Sequence, residues 1–93
     1  MMQKADQEIV LTFSGTHDAI TSDKILQQGG LKVRTMPLPD QIGAGCGICV
    51  RVDEPDRETA LSLLREAGIQ PEGVYYAKRG PQGMQYTPVP IEG

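Results

Sequence analysis

The chain has 93 residues, 39% of them apolar, and a formal net charge of -3. This is enough polypeptide for one domain with a single pair of packed layers, and too little for a deep enclosed cavity. There is no basic footprint, no membrane-length apolar window and no apolar stretch in Met1 to Glu8, so neither a nucleic-acid nor a membrane partner is expected and a cytoplasmic location is the default.

In chain order, Glu8-Ile9-Val10-Leu11-Thr12-Phe13-Ser14 alternates, with Ile9, Leu11 and Phe13 on one side, and predicts a half-buried strand. Gly15 follows. Thr16 is placed to cap a helix from His17 to about Gln28, with Ala19, Ser22, Ile25 and Leu26 as its inner stripe and Gly29-Gly30 as a left-handed stop. Leu31 to Met36 reads as a second strand, ended by Pro37 and Pro39. Asp40 to Gly45 is a loop, and Cys46 to Asp53 a third strand with Ile48, Val50 and Val52 facing the core. Pro55 suits the start of a second helix, Asp56 to Ala67, which buries Ala60, Leu61, Leu64 and Ala67 and ends at Gly68. Gly73 to Lys78 is a fourth strand. Residues 1–78 are therefore expected to form one domain, and the Gly- and Pro-rich residues 79–93 an irregular tail. The order β-α-β-β-α-β, with right-handed crossovers, predicts an α+β ferredoxin-like two-layer sandwich with an antiparallel sheet.

The chemically pointed feature is Cys46-Gly47-Ile48-Cys49. In a reducing compartment two cysteines three apart are a reactive thiol, part of a metal site, or small buried hydrophobes rather than a disulfide framework. The predicted topology puts Cys46 beside Ser14-Gly15-Thr16-His17, at the amino end of the first helix. Unpaired backbone N–H groups and the helix dipole there favour thiolate, the nucleophilic form. His17 is a candidate proton acceptor or thiolate partner, and Gly15, Thr16, Gly45 and Gly47 are candidate backbone contacts to a bound anion such as a persulfide.

Cys49 lies on the opposite sheet face if the strand is extended, about 10 Å from Cys46 and too far for a disulfide. It is either a resolving thiol after local rearrangement or a buried strand residue without chemistry, and the second is preferred. His17 is more often a plain surface residue than a catalytic one. Arg34 and Arg51 are read as solvated side chains pairing with acids such as Asp53, with anion binding as the less favoured role.

Other chemistries fit less well. Two thiols and one imidazole fall short of a closed zinc site, and no cofactor is expected. The residues expected to face outward, Val10, Thr12, Cys49 and Arg51, lack the aromatics of an RNA-reading sheet. There is no nucleotide loop or nucleophile elbow.

Phe13-Ser14-Gly15-Thr16-His17-Asp18-Ala19, Asp23-Lys24-Ile25-Leu26, Met36-Pro37-Leu38-Pro39 and Gly45-Cys46-Gly47 resemble short bacterial domains described as selenium/sulfur carrier-like, over roughly Ile9 to Gly68. The resemblance implies a domain that accepts sulfur or selenium on a cysteine, here Cys46, and exchanges it with donor and acceptor proteins. Its Thr-His helix start corresponds to Thr16 and His17. This chain departs from the pattern in two places: Gly43-Ala44-Gly45 stands where serines precede the family's cysteine, and Cys49 is added. A carrier is thus the leading expectation, not a turnover enzyme. An ACT-like small-molecule-binding regulatory module and a Cys46–Cys49 thiol redox element are the alternatives. A homodimer through the edge of the second or fourth strand is compatible with all three.

Overall fold

A computed structural model describes residues 7–43 and 45–90. It contains strand β1 (Gln7–Thr12), helix α1 (Thr16–Gln28), strands β2 (Val33–Pro37) and β3 (Ile48–Asp53), a 3-10 turn (Glu54–Asp56), helix α2 (Arg57–Glu66), and strands β4 (Gly73–Gly80) and β5 (Gly83–Pro88). The class is α+β: five strands form one antiparallel sheet in the order β2-β3-β1-β4-β5, packed with two helices.

The expectation of four strands and an irregular tail from Arg79 needs correction. Arg79 and Gly80 continue β4, and Gly83 to Pro88 pair back on it, from Gly80↔Gly83 to Tyr75↔Pro88. Pro81-Gln82 makes the turn, and Gly83 leaves it at φ 115, a value open to glycine. Met84 and Tyr86 then fall on one side of the hairpin, half-buried against Val10, Cys49 and Ala77. β4 is consequently an interior strand, and the free sheet edges are β2 and β5. Residues 91–93 of the expected tail lie outside the described residues.

One sheet face is the main core. Ile9 and Leu11 of β1, Val50 and Val52 of β3 and Val74 of β4 pack against Ala19 and Leu26 of α1 and Ala60 and Leu64 of α2, with Phe13 closing one end. Each aliphatic residue buried this way contributes roughly 1.5–3 kcal/mol relative to exposure. Both helices stop by the same device. Gly30 and Gly68 take φ 92 and 79; Leu31 N–H then donates to Leu26 C=O at 3.1 Å and Ile69 N–H to Leu64 C=O at 2.9 Å. The apolar residue after each glycine packs on the core it has just left.

The opposite face is less open than the alternation suggests. Val10 and Cys49 are fully buried and Thr12 nearly so. Met36, Leu38 and Ile42 from β2 and the β2–β3 connection, with Tyr75, Met84 and Tyr86 from β4 and β5, pack over Val10, Cys49 and Ala77. This face therefore does carry two tyrosines, contrary to the expectation that it lacks aromatics. They come from β4 and from the added fifth strand.

Candidate functional site

Cys46 does not lie in a strand. β3 begins at Ile48, and Cys46 sits in the connection between β2 and β3. Two backbone bonds define that connection. Leu38 N–H donates to Gly47 C=O at 3.0 Å, one step beyond the Pro37↔Ile48 pair, and so closes the mouth of the loop. Cys46 N–H donates to Phe13 C=O at 3.1 Å, which fastens the loop to the end of β1. The thiol is thus carried next to the Phe13-Ser14-Gly15 corner from which α1 departs.

The glycines around it are needed for different reasons. Gly45 has φ 127, and a Cβ there would lie 3.4 Å from both the Phe13 carbonyl and Leu38 Cδ2. Gly47 has φ 96 with open space around it, so the backbone turn alone requires it. Cys46 itself is half-buried: it packs against the edge of the main core, and its Sγ lies 3.7 Å from the Ile48 carbonyl.

The amino end of α1 differs from expectation in its cap. Gly15 is the N-cap, with extended φ -134 and ψ 147 and no side-chain cap bond, while Thr16 is already the first helical residue. A Cβ on Gly15 would meet nothing within 4 Å. Thr16 and Gly15 therefore leave the first-turn N–H groups without a side-chain acceptor. His17 turns outward: its side chain is 91% exposed and its Nδ1 faces Asp18 at 3.7 Å. Among the described residues no hydrogen bond or ion pair links His17 to Cys46.

Cys49 is separated from Cys46 by the sheet. Cys46 packs with the helix-covered core, whereas Cys49 belongs to the cluster on the other face, with its Sγ 3.8 Å from the Pro37 carbonyl. Both thiols are free. Burial pushes the Cys49 thiol above its ordinary value of 9.0; the Arg51 charge pulls it down, and Cys46 adds a smaller upward push. Cys49 is held as a neutral, buried thiol.

Asp23, in one of the recognisable sequence segments, has a structural role. It accepts hydrogen bonds from Thr35 Oγ1 and Gln27 Nε2, both at 2.6 Å, and so ties α1 to the edge strand β2. Arg34 and Arg51 do not pair with Asp53 as expected; both engage Glu8, Arg34 Nη2 at 2.8 Å. Sequence reasoning missed the two residues that position the Cys46 loop, Phe13 through its carbonyl and Leu38 through its side chain. For Leu38 the signal was an apolar residue between two prolines in an otherwise polar connection.

The fold and site thus define a small α+β domain with one half-exposed thiol in a glycine-lined loop, anchored where the first helix begins. The chain belongs to the family described as "Putative Se/S carrier protein-like", whose model matches residues 8–76. No curated protein and no solved structure matches the chain. Among the described residues no helix is long and apolar enough to cross a membrane, and no three His, Cys, Asp or Glu side chains converge on a common point.

Proposed function

We propose that this domain carries sulfur or selenium on Cys46 as a persulfide or selenopersulfide, relaying it between donor and acceptor proteins without turning over a substrate of its own. In the loading step the Cys46 thiolate attacks the outer sulfur of a donor persulfide, a new S–S bond forms on Cys46, and the donor cysteine leaves as thiolate. In the second step a nucleophile on the acceptor takes that outer sulfur, and the Cys46 thiolate is released. Each exchange is isoelectronic overall and needs no cofactor.

The observation that carries the reading is the 3.1 Å bond from Cys46 N–H to the Phe13 carbonyl, which anchors the thiol loop to the uncapped start of α1. Gly47 stands in open space beside Cys46, which leaves room for a bound chalcogen, and family membership supports the same chemistry. Gly15, Thr16, Gly45 and Gly47 are then the backbone contacts to the terminal anion. His17 is exposed enough to meet a partner's leaving group and does not act as an internal base. The burial of Cys49 on the far face weighs against a Cys46–Cys49 redox couple. We read the fold itself as the ferredoxin-like arrangement with an added edge strand, since β2-β3-β1-β4 is the order that a split βαβ unit requires.

The test is the intact mass of the protein after incubation with a sulfane-sulfur donor under reducing-agent-free conditions. The reading expects one added sulfur that reductant removes and that is lost in Cys46→Ser. An adduct that survives Cys46→Ser, or none on the unaltered chain, would sink it.

A further inference from the structure

At the end of the sheet away from Cys46, the chain gathers positive charge that the described residues neutralise only in part. Arg34 and Arg51 are directly opposite each other on β2 and β3, a pairing of like charges that costs stability unless it is bridged. Glu8 bridges it, accepting Arg34 Nη2 at 2.8 Å and also Arg51 Nη2. One carboxylate shared by two guanidinium groups leaves an excess cation. Lys32, Lys78 and Arg79 line the same groove and form no ion pair among the described residues, and Asp53 is the one further acid there. Among the described residues, five cations against two acids make this groove a positive site on a chain whose net charge is -3.

Arg51 forms the floor of this cluster. Its side chain is only 12% exposed, one arm contacts Glu8 and the other Met36 Sδ at 3.5 Å, yet its buried Nε has no hydrogen-bond partner. The groove spans about 900 Å³, with Ala77 and Met84 beside the cations.

We propose that this groove binds a multiply charged phosphate compound, either a free oligophosphate or the phosphate chain of a nucleotide. Arg79 presents a planar fork suited to paired phosphoryl oxygens, Arg34 adds the arm that Glu8 does not hold, and Lys32 and Lys78 are flanking point charges, while the guanidinium of Arg51 is engaged by Glu8 and Met36. The site is separate from Cys46 and does not depend on the carrier reading.

The experiment titrates the full chain with tripolyphosphate and, in parallel, with ATP, following backbone and arginine side-chain NMR signals. The expected result is saturable shifts at Arg34, Arg51, Lys78 and Arg79, absent at Lys24 and Arg65. Arg79→Gln and Lys32→Gln should each weaken binding about tenfold and leave the rest of the spectrum native-like. Cys46→Ser should bind as the unaltered chain does, which separates this site's failure from the carrier's. Equal affinity for the two probes means that a bare phosphate chain is read; tighter ATP means a nucleotide. Absence of saturable shifts, indifference to both substitutions, or tighter binding of an oligoglutamate peptide to the same residues would overturn the assignment.

Discussion

Gly15 offers a charge test of the corner at which Cys46 is anchored. It is the N-cap of α1, already extended, without a cap bond and with open space where a Cβ would stand. Gly15→Ser and Gly15→Asp both supply the missing acceptor and both restrict the unfolded chain, so each should stabilise the fold by about 0.5–1 kcal/mol in urea denaturation. They differ in charge. Cys46 N–H is 3.1 Å from the Phe13 carbonyl. Gly15 is two residues further, at most ~7 Å along the chain, so the carboxylate introduced by Gly15→Asp falls roughly 10 Å from Cys46. At an effective dielectric of about 20–40, that distance corresponds to about 1 kcal/mol of repulsion against an anionic persulfide. The Gly15→Asp variant should therefore load sulfur about fivefold less at equilibrium than Gly15→Ser, with the gap narrowing in high salt. Equal loading of two equally stabilised variants would refute the placement of the bound anion at the start of α1.

Other consequences can be checked in the same preparations. Gly45→Ala forces a side chain into φ 127 against Leu38 and the Phe13 carbonyl, so it should cost about 1–3 kcal/mol of stability, read by urea denaturation. Leu64→Ala, which empties a fully buried position beneath α2, should cost about 2–5 kcal/mol in the same assay. Cys49 is predicted to resist alkylation in the folded chain while Cys46 reacts, peptide mapping distinguishing the two. Because burial raises the Cys49 thiol above 9.0, its contribution to stability is intact below that value and falls as pH rises through the higher folded value. Cys49→Ala should accordingly show a flatter stability profile above pH 9 than the unaltered chain, whatever its stability at neutral pH.

The parts of the fold that local chemistry specifies were legible in the sequence. The alternation of Ile9, Leu11 and Phe13, the inner stripe of α1, Ala60 and Leu64 of α2, and the glycine stops after each helix all appear close to where they were expected, whereas Ala67, expected on the buried face, is the exposed C-cap of α2. The placement of the Cys46 loop beside the β1–α1 corner followed from strand direction alone. What escaped depends on pairing at a distance. β5 offers just Met84 and Tyr86 as inward residues among glycine and proline, and gains its identity from β4 rather than from its own pattern. The covering of Val10 and Cys49 likewise requires Leu38, Ile42 and Tyr86 to meet over the sheet, which no single segment announces. Thr16 has the chemistry of a cap, but the helix begins one residue earlier than its side chain could serve. The same helical phase sends His17 outward, since Ala19 and Ser22 take the inner positions.

The sulfur relay itself is the most direct point of attack. The chain would be loaded with labelled sulfane sulfur, freed of excess donor and then offered a small acceptor nucleophile such as cyanide or sulfite, with the label and the Cys46 thiol counted together. The account predicts that label leaves in step with recovery of one reactive Cys46 thiol and that Cys49 is unmodified throughout. Label that stays on the protein, or that leaves with formation of a Cys46–Cys49 disulfide, would contradict it.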